Sequence, residues 1–157
     1  MTEDWRKDRI GSALRGRNPT VLRRLPAGFA VIGDVQFLPG YCVLLVDDPA
    51  VRRLSGLPRS RRLAFLSDMD RLGEAVERAC GRLDPAFRRV NLEILGNKDD
   101  FLHAHVWPRY AWESADLVGR PVWSYPRERW TDERYALGPR HDALRQAIGE
   151  ELDGPAV

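Results

Sequence analysis

The chain has 157 residues, 43% of them hydrophobic, which is enough for one ordinary globular domain with a sizeable core and too little for two full ones. Lys plus Arg number 25 against 23 for Asp plus Glu, a near balance that argues against dedicated nucleic-acid binding through a strong basic field. Met1-Thr2-Glu3-Asp4-Trp5 lacks the apolar segment of a signal peptide and no run approaches ~18 apolar residues, so a cytoplasmic protein with no membrane partner is expected.

Residues 3 to 16 carry Trp5, Ile10, Ala13 and Leu14 at helical intervals and are read as a short leading helix, broken by Asn18-Pro19. Val21 and Leu22 fall in a further short element. Gly28 to Asp34 reads as a strand ending in a turn, and Tyr41 to Val46, introduced by Pro39-Gly40 and closed by Asp47-Asp48-Pro49, as a second strand covered on both faces. From about Pro58 to Leu83 apolar residues recur every three or four positions, as one buried face of a long helix requires. Phe87 to Leu95 alternates, with Val90, Leu92 and Ile94 on one face and Asn91 and Glu93 on the other, and Gly96 to Asp100 turns it into an antiparallel hairpin. The segment up to Trp130 is rich in Trp and Pro and reads as irregular but packed. A last helix spans about Pro139 to Leu152. Cys42 and Cys80 lack metal-site spacing and are read as buried free thiols.

The partner of that hairpin is Phe101-Leu102-His103-Ala104-His105-Val106-Trp107-Pro108-Arg109-Tyr110, which holds two of the three histidines. Side chains alternate along a strand, so Phe101, His103 and His105 share one face. Pro108 is expected to end the strand or confine it to an edge, with Arg109 following where it meets solvent. Neutral imidazole is a nucleophile or base near pH 7 and guanidinium suits phosphate, so phosphoryl chemistry fits the run. A half-exposed strand face is the plainer alternative. A metal site is not expected, because no third ligand accompanies the two histidines and His141 lies in a remote segment as a structural or exposed residue.

At this strand the chain resembles the histidine triad family of nucleotide hydrolases and transferases, whose motif is HxHxHxx with apolar residues at x. The resemblance covers about residues 28 to 112, with 113 to 157 a C-terminal extension of one domain over 1 to 157, and its ending Pro108-Arg109-Tyr110 is similar to members that cleave dinucleoside polyphosphates. It implies an α+β fold with an antiparallel sheet of about five strands, a main helix packed on it and a C-terminal helix. It also implies a homodimer and a nucleotide substrate. By motif position His103 is the nucleophile that forms a covalent nucleotidyl-histidine intermediate, and His105 contacts the phosphate region. Arg109 is a further phosphate donor. Asn97 matches a place where relatives bind ribose or phosphate, although a plain turn residue explains it as well. Gln36, Asn91 and Lys98 are weaker binding candidates.

The chain departs from the motif at Phe101, which stands in place of the first histidine. A backbone carbonyl can still accept from His103 Nδ1 and leave Nε2 free to attack. The alternative is a nucleotide-binding module with weak or no turnover; a protein interaction domain without nucleotide affinity ranks third. Asp47-Asp48 lies where many relatives are basic, and would repel a polyphosphate unless the carboxylates point away or hold Mg²⁺. No cofactor is required otherwise. Trp5, Trp107, Trp112, Trp123 and Trp130 suit core or dimer packing, with base stacking as the sharper option. Arg52-Arg53 and Arg59 to Arg62 read as solvated faces of the long helix, with a phosphate-facing role as the alternative.

Overall fold

A computed structural model of the chain describes residues 4–155, so the expectation at Met1-Thr2-Glu3 lies outside the described residues. Five strands form one antiparallel sheet in the order β1-β2-β3-β5-β4, comprising β1 Val21–Leu25, β2 Gly28–Ile32, β3 Cys42–Val46, β4 Phe87–Ile94 and β5 His103–Tyr110. The expected α+β fold is therefore the one observed. The short element at Val21 and Leu22 is an edge strand, paired to β2 and irregular between Val21 and Arg23.

The leading helix is two pieces, a single turn Trp5–Lys7 and α1 Arg9–Leu14. Asp8 causes the division: its non-helical backbone (φ −146°, ψ 71°) stops the first turn, and its carboxylate accepts from Gly11 N at 2.9 Å to cap the second. The long helix α2, Arg59–Leu83, packs on the sheet and buries Phe65, Leu72, Val76 and Ala79. The last helix α4, Asp142–Asp153, packs along α2, tied by Arg71 Nη2 to the Leu152 carbonyl and by the Arg23–Asp153 ion pair at 2.7 Å. His141 is buried and accepts from Gly138 N at 3.1 Å through Nδ1, so it is structural.

Register fixes which side chains share a face, because residues opposite one another in an antiparallel pair point the same way. Leu44 opposes Ala104, and Cys42 opposes Val106, which opposes Leu92. This is the face under α2; a Cβ on Gly73 of that helix would stand 3.1 Å from Leu92 Cδ2. The other face aligns Val43, His105 and Glu93 in one row, and Leu45 with His103 in the next. Among the described residues no long helix packs on that second face. Residues 113–137, including the short helix α3 Glu128–Thr131, fold over part of it and are pinned by the Val35–Ala136 bridge.

Two expectations change here. The histidine strand begins at His103 rather than Phe101, and it runs through Pro108 to Tyr110 instead of ending. Pairing with β3 stops at Val106, so by Pro108 the strand has only β4 beside it and an absent N–H disrupts no second ladder. The turn before β3 is tightly held. Gly40 adopts φ +104°, a conformation glycine enters without a Cβ penalty, and an added Cβ would also meet Cys80 Sγ. Cys42 and Cys80 are buried and unpaired as thiols, and burial pushes the Cys80 pKa up to about 11. No helix among the described residues is long and apolar enough to cross a membrane.

Candidate active site

His103 and His105 stand on the open face of β5 with ring centroids 4.8 Å apart and rings nearly perpendicular at 74°. Both are buried, and both line two cavities that meet at them. The first, about 540 Å³, has an apolar wall of Val31, Ile32, Val43 and Leu45 from β2 and β3, faced by Phe101, Trp123 and Trp130. The second, about 500 Å³, is formed by Leu95 to Asp99 in the β4–β5 turn and by Trp123. Trp123 is thus a shared wall, held by its indole N–H donating to Glu93 Oε2 at 2.8 Å and by face-to-face stacking on Trp130 at 5.0 Å.

His103 Nδ1–H donates to the Phe101 carbonyl oxygen at 2.7 Å. A carbonyl only accepts, so the proton is on Nδ1 and Nε2 keeps its lone pair. The substitution at position 101 therefore leaves the tautomer of His103 unaffected, because the holding atom is main chain. The Phe101 ring itself lies 4.9 Å from the His103 ring and lines the first cavity.

His105 Nδ1 is 2.7 Å from the Tyr41 hydroxyl. Burial, followed by the nearby His103, lowers its pKa from 6.5 to about 4, so the ring is neutral at pH 7. The shift has a consequence for folding. A base with a depressed folded pKa stabilises the fold above the unfolded value, and that stabilisation is lost as pH falls from about 6.5 toward 4. Urea unfolding at pH 7 and at pH 4 should differ by on the order of 2–3 kcal/mol more in the wild type than in His105→Gln. Equal differences would show that His105 is not the group responsible.

The structure separates the candidates read from the sequence. Asn97 and Lys98 are exposed and line the second cavity, Lys98 also the first. Gln36 is buried away from both: its amide donates to the Gly33 and Tyr41 carbonyls at 2.7 and 3.0 Å and accepts from Gly40 N at 2.9 Å, bracing the turn before β3. Arg109 is also removed from the histidines. Its guanidinium is buried against Glu113 at 2.8 Å and donates to Asn91 Oδ1 and to the carbonyls of Leu117, Val118 and Arg120. Asn91 is thereby held in the same network. Both polar groups are committed to main-chain carbonyls, Gln36 within its own turn and Arg109 in the segment that folds over the sheet.

Asp47 pairs with Arg24 and Arg61, at 3.4 and 2.8 Å, and Asp48 accepts from Ala50 N, so neither carboxylate faces the cavities. Arg52 pairs with Asp100, and Arg62 donates to the Leu57 carbonyl. Among the described residues no group of three or more His, Cys, Asp or Glu is placed to hold a metal ion. Trp123 and Trp130, two of the tryptophans read from the sequence, line the first cavity, and residues not singled out there also shape the site: Tyr41, Arg127, Asp99 and Thr20. Tyr41 was legible in principle, because it continues the Leu45-Val43 alternation onto the histidine face. Arg9 on the cavity wall is held by Asp34 at 3.0 Å, whereas Lys98 and Arg127 have no carboxylate partner among the described residues.

No protein-family model and no curated protein matches the sequence. Solved structures do match. A histidine triad protein from Sinorhizobium meliloti 1021 aligns with TM-score 0.68 and 16% identity over 88% of this chain and 93% of its own. One from Marinobacter aquaeolei VT8 gives 0.62 and 19%, over 85% and 88%. A hypothetical histidine triad nucleotide-binding protein from Sulfolobus tokodaii gives 0.64 and 12%, over 92% and 90%. With β5 lodged between β3 and β4, both histidines on its open face and α2 behind, this chain has the fold of the histidine triad proteins.

Proposed function

We propose that the protein is a nucleotide hydrolase or nucleotidyl transferase that works through a covalent intermediate on His103. The observation that carries this reading is the 2.7 Å hydrogen bond from His103 Nδ1–H to the Phe101 carbonyl, which leaves a bare Nε2 where the two cavities meet. The cavities suit the two halves of a nucleotide conjugate. The apolar wall of Val31, Ile32, Val43 and Leu45 suits a nucleoside, and the β4–β5 turn with Asn97 and Lys98 suits the leaving group. His103 Nε2 attacks the α-phosphorus, the bond to the leaving group breaks, and water then hydrolyses the nucleotidyl-histidine. Lys98 and Arg127 are the cations placed to neutralise charge on the phosphoryl oxygens, and His105 is a neutral donor to them. No resident cofactor enters these steps.

Dinucleoside polyphosphates are our leading substrates, on the likeness of the sequence around the histidine strand. The protein from Sulfolobus tokodaii bears nucleotide binding in its name, which supports the coarser reading. Incubation with a panel of diadenosine polyphosphates and nucleoside phosphoramidates should release nucleoside monophosphate, and acid-free intact-mass analysis of a quenched reaction should detect one nucleotidyl adduct. A panel with no monophosphate release and no adduct would overturn the assignment.

The Phe101 ring beside His103 favours a second reading, a nucleotide-binding module of weak turnover. Calorimetric binding without product, with turnover gained in Phe101→His, distinguishes it. A homodimer is part of the same proposal: β4 is an edge strand with one unpaired side, and Leu92 on it and Leu63 and Leu83 on α2 are exposed. Light scattering after gel filtration should give twice the chain mass.

A further inference from the structure

Tyr41 is buried with its hydroxyl beside one polar side chain, His105. Its ring cannot swing away. On one side it stacks on Trp107, with centroids 3.5 Å apart and planes 3° from parallel. On the other lies Gly33, where a Cβ would stand 2.2 Å from Tyr41 Cδ1. The phenol is thus clamped between a fully buried indole and a glycine, with its oxygen fixed against His105 Nδ1.

The direction of this hydrogen bond follows from the chemistry of the two groups. A buried O–H that donates to nothing loses its hydration without return, and among the described residues the side-chain hydrogen bond of the Tyr41 hydroxyl is to His105 Nδ1. An imidazole nitrogen is also a better acceptor than a phenol oxygen. Burial holds the phenol pKa above its ordinary value and holds the His105 pKa below its own, so the phenol keeps its proton and the imidazole is neutral. Tyr41 then donates, Nδ1 accepts, and the ring proton of His105 is on Nε2.

We propose that Tyr41 is a positioning residue that locks His105 as the Nε2–H tautomer, so that β5 presents a bare Nε2 on His103 and a protonated Nε2 on His105 to the same substrate. The two histidines are two residues apart on one strand face, yet their Nδ1 atoms meet opposite partners: a carbonyl that only accepts and a phenol that donates. One imidazole is set as nucleophile and the other as neutral hydrogen-bond donor to a phosphoryl or leaving-group oxygen. This role of His105 rests on the nucleotidyl-transfer reading; the tautomer assignment does not.

The test begins with the resting protein. Long-range nitrogen–proton correlation spectra of ¹⁵N-histidine-labelled protein at pH 7 separate protonated from bare ring nitrogens, and with three histidines in the chain single substitutions assign them. His103 is expected with the proton on Nδ1 and His105 with it on Nε2. In Tyr41→Phe, which keeps the ring stacked on Trp107, the His105 signals should move toward a mixture of tautomers while those of His103 stay. Gly33→Ala, which displaces the phenol by crowding, should do the same. On a substrate found in the panel above, kcat of Tyr41→Phe should fall roughly 10- to 100-fold with KM little changed. His105 carrying its proton on Nδ1 in the wild type, or an unchanged His105 pattern in both variants, overturns the proposal. A wild-type protein with the expected tautomers and no turnover overturns the nucleotidyl-transfer reading instead and leaves the tautomer lock standing.

Discussion

His103→Ala is expected to lower monophosphate release by roughly 10⁴-fold or more and to remove the nucleotidyl adduct altogether. Covalent catalysis divides one hard displacement at phosphorus into two easier ones, so loss of the attacking atom removes the route rather than slowing it. Binding should survive. The apolar wall of Val31, Val43 and Leu45 and the turn carrying Lys98 are on other elements, and truncating His103 leaves them in place. Calorimetry with a non-hydrolysable nucleotide analogue should therefore give an affinity near that of the wild type. Turnover retained within tenfold in His103→Ala would mean that a different group attacks. Loss of binding together with activity would mean that the imidazole serves recognition instead of chemistry.

Glu113→Ala is expected to be the most damaging single change to stability among the site's surroundings, by about 3–5 kcal/mol. The Glu113 side chain is fully buried and accepts from Arg109 Nε at 3.0 Å, Arg109 Nη2 at 2.8 Å, Tyr110 N at 2.7 Å and the Tyr125 hydroxyl at 2.8 Å. Its removal leaves a guanidinium in the interior with no counter-charge. The double variant Arg109→Met with Glu113→Leu should be less destabilised than Glu113→Ala alone, because apolar replacement of both partners avoids the orphaned charge. Chemical denaturation of the three proteins decides the matter. A Glu113→Ala loss below about 1 kcal/mol would show that water reaches Arg109 and that the pair is not sealed.

How much of this was readable beforehand differs by element. The long helix at 59–83 and the strands at 28–32, 42–46 and 87–94 follow from spacing, because each buries a continuous face whose period is set by its backbone. The placement of the two histidines on one face was equally legible. The fate of Arg109 was not. A strand end beyond a proline reads as exposed, and only the return of residues 113–121 over it, bringing Glu113 into bonding distance, makes it interior. The orientation of Gln36 is not legible either: a polar side chain beside a turn can face ligand or main chain, and the backbone groups of Gly33, Gly40 and Tyr41 that claim it lie within five residues. Pro108 meets the second of its two expectations, an edge position, because β3 stops short of it; where one neighbour strand ends before another is a property of register, which is tertiary.

The strand order places β5 between β4, its hairpin partner, and β3, from which the whole of α2 and β4 separates it in sequence. The pairing of His105 with Glu93 is local, whereas its pairing with Val43 closes a long loop through the helix. Long-range strand pairings of this kind form late relative to hairpins, since the loop entropy must be met before any contact returns it. The floor of the first cavity is on β2 and β3, and His103 is on β5. A chain that has folded only its helix and hairpin therefore carries both histidines without the wall of the first cavity. The complete pocket around the two histidines thus depends on completion of the sheet.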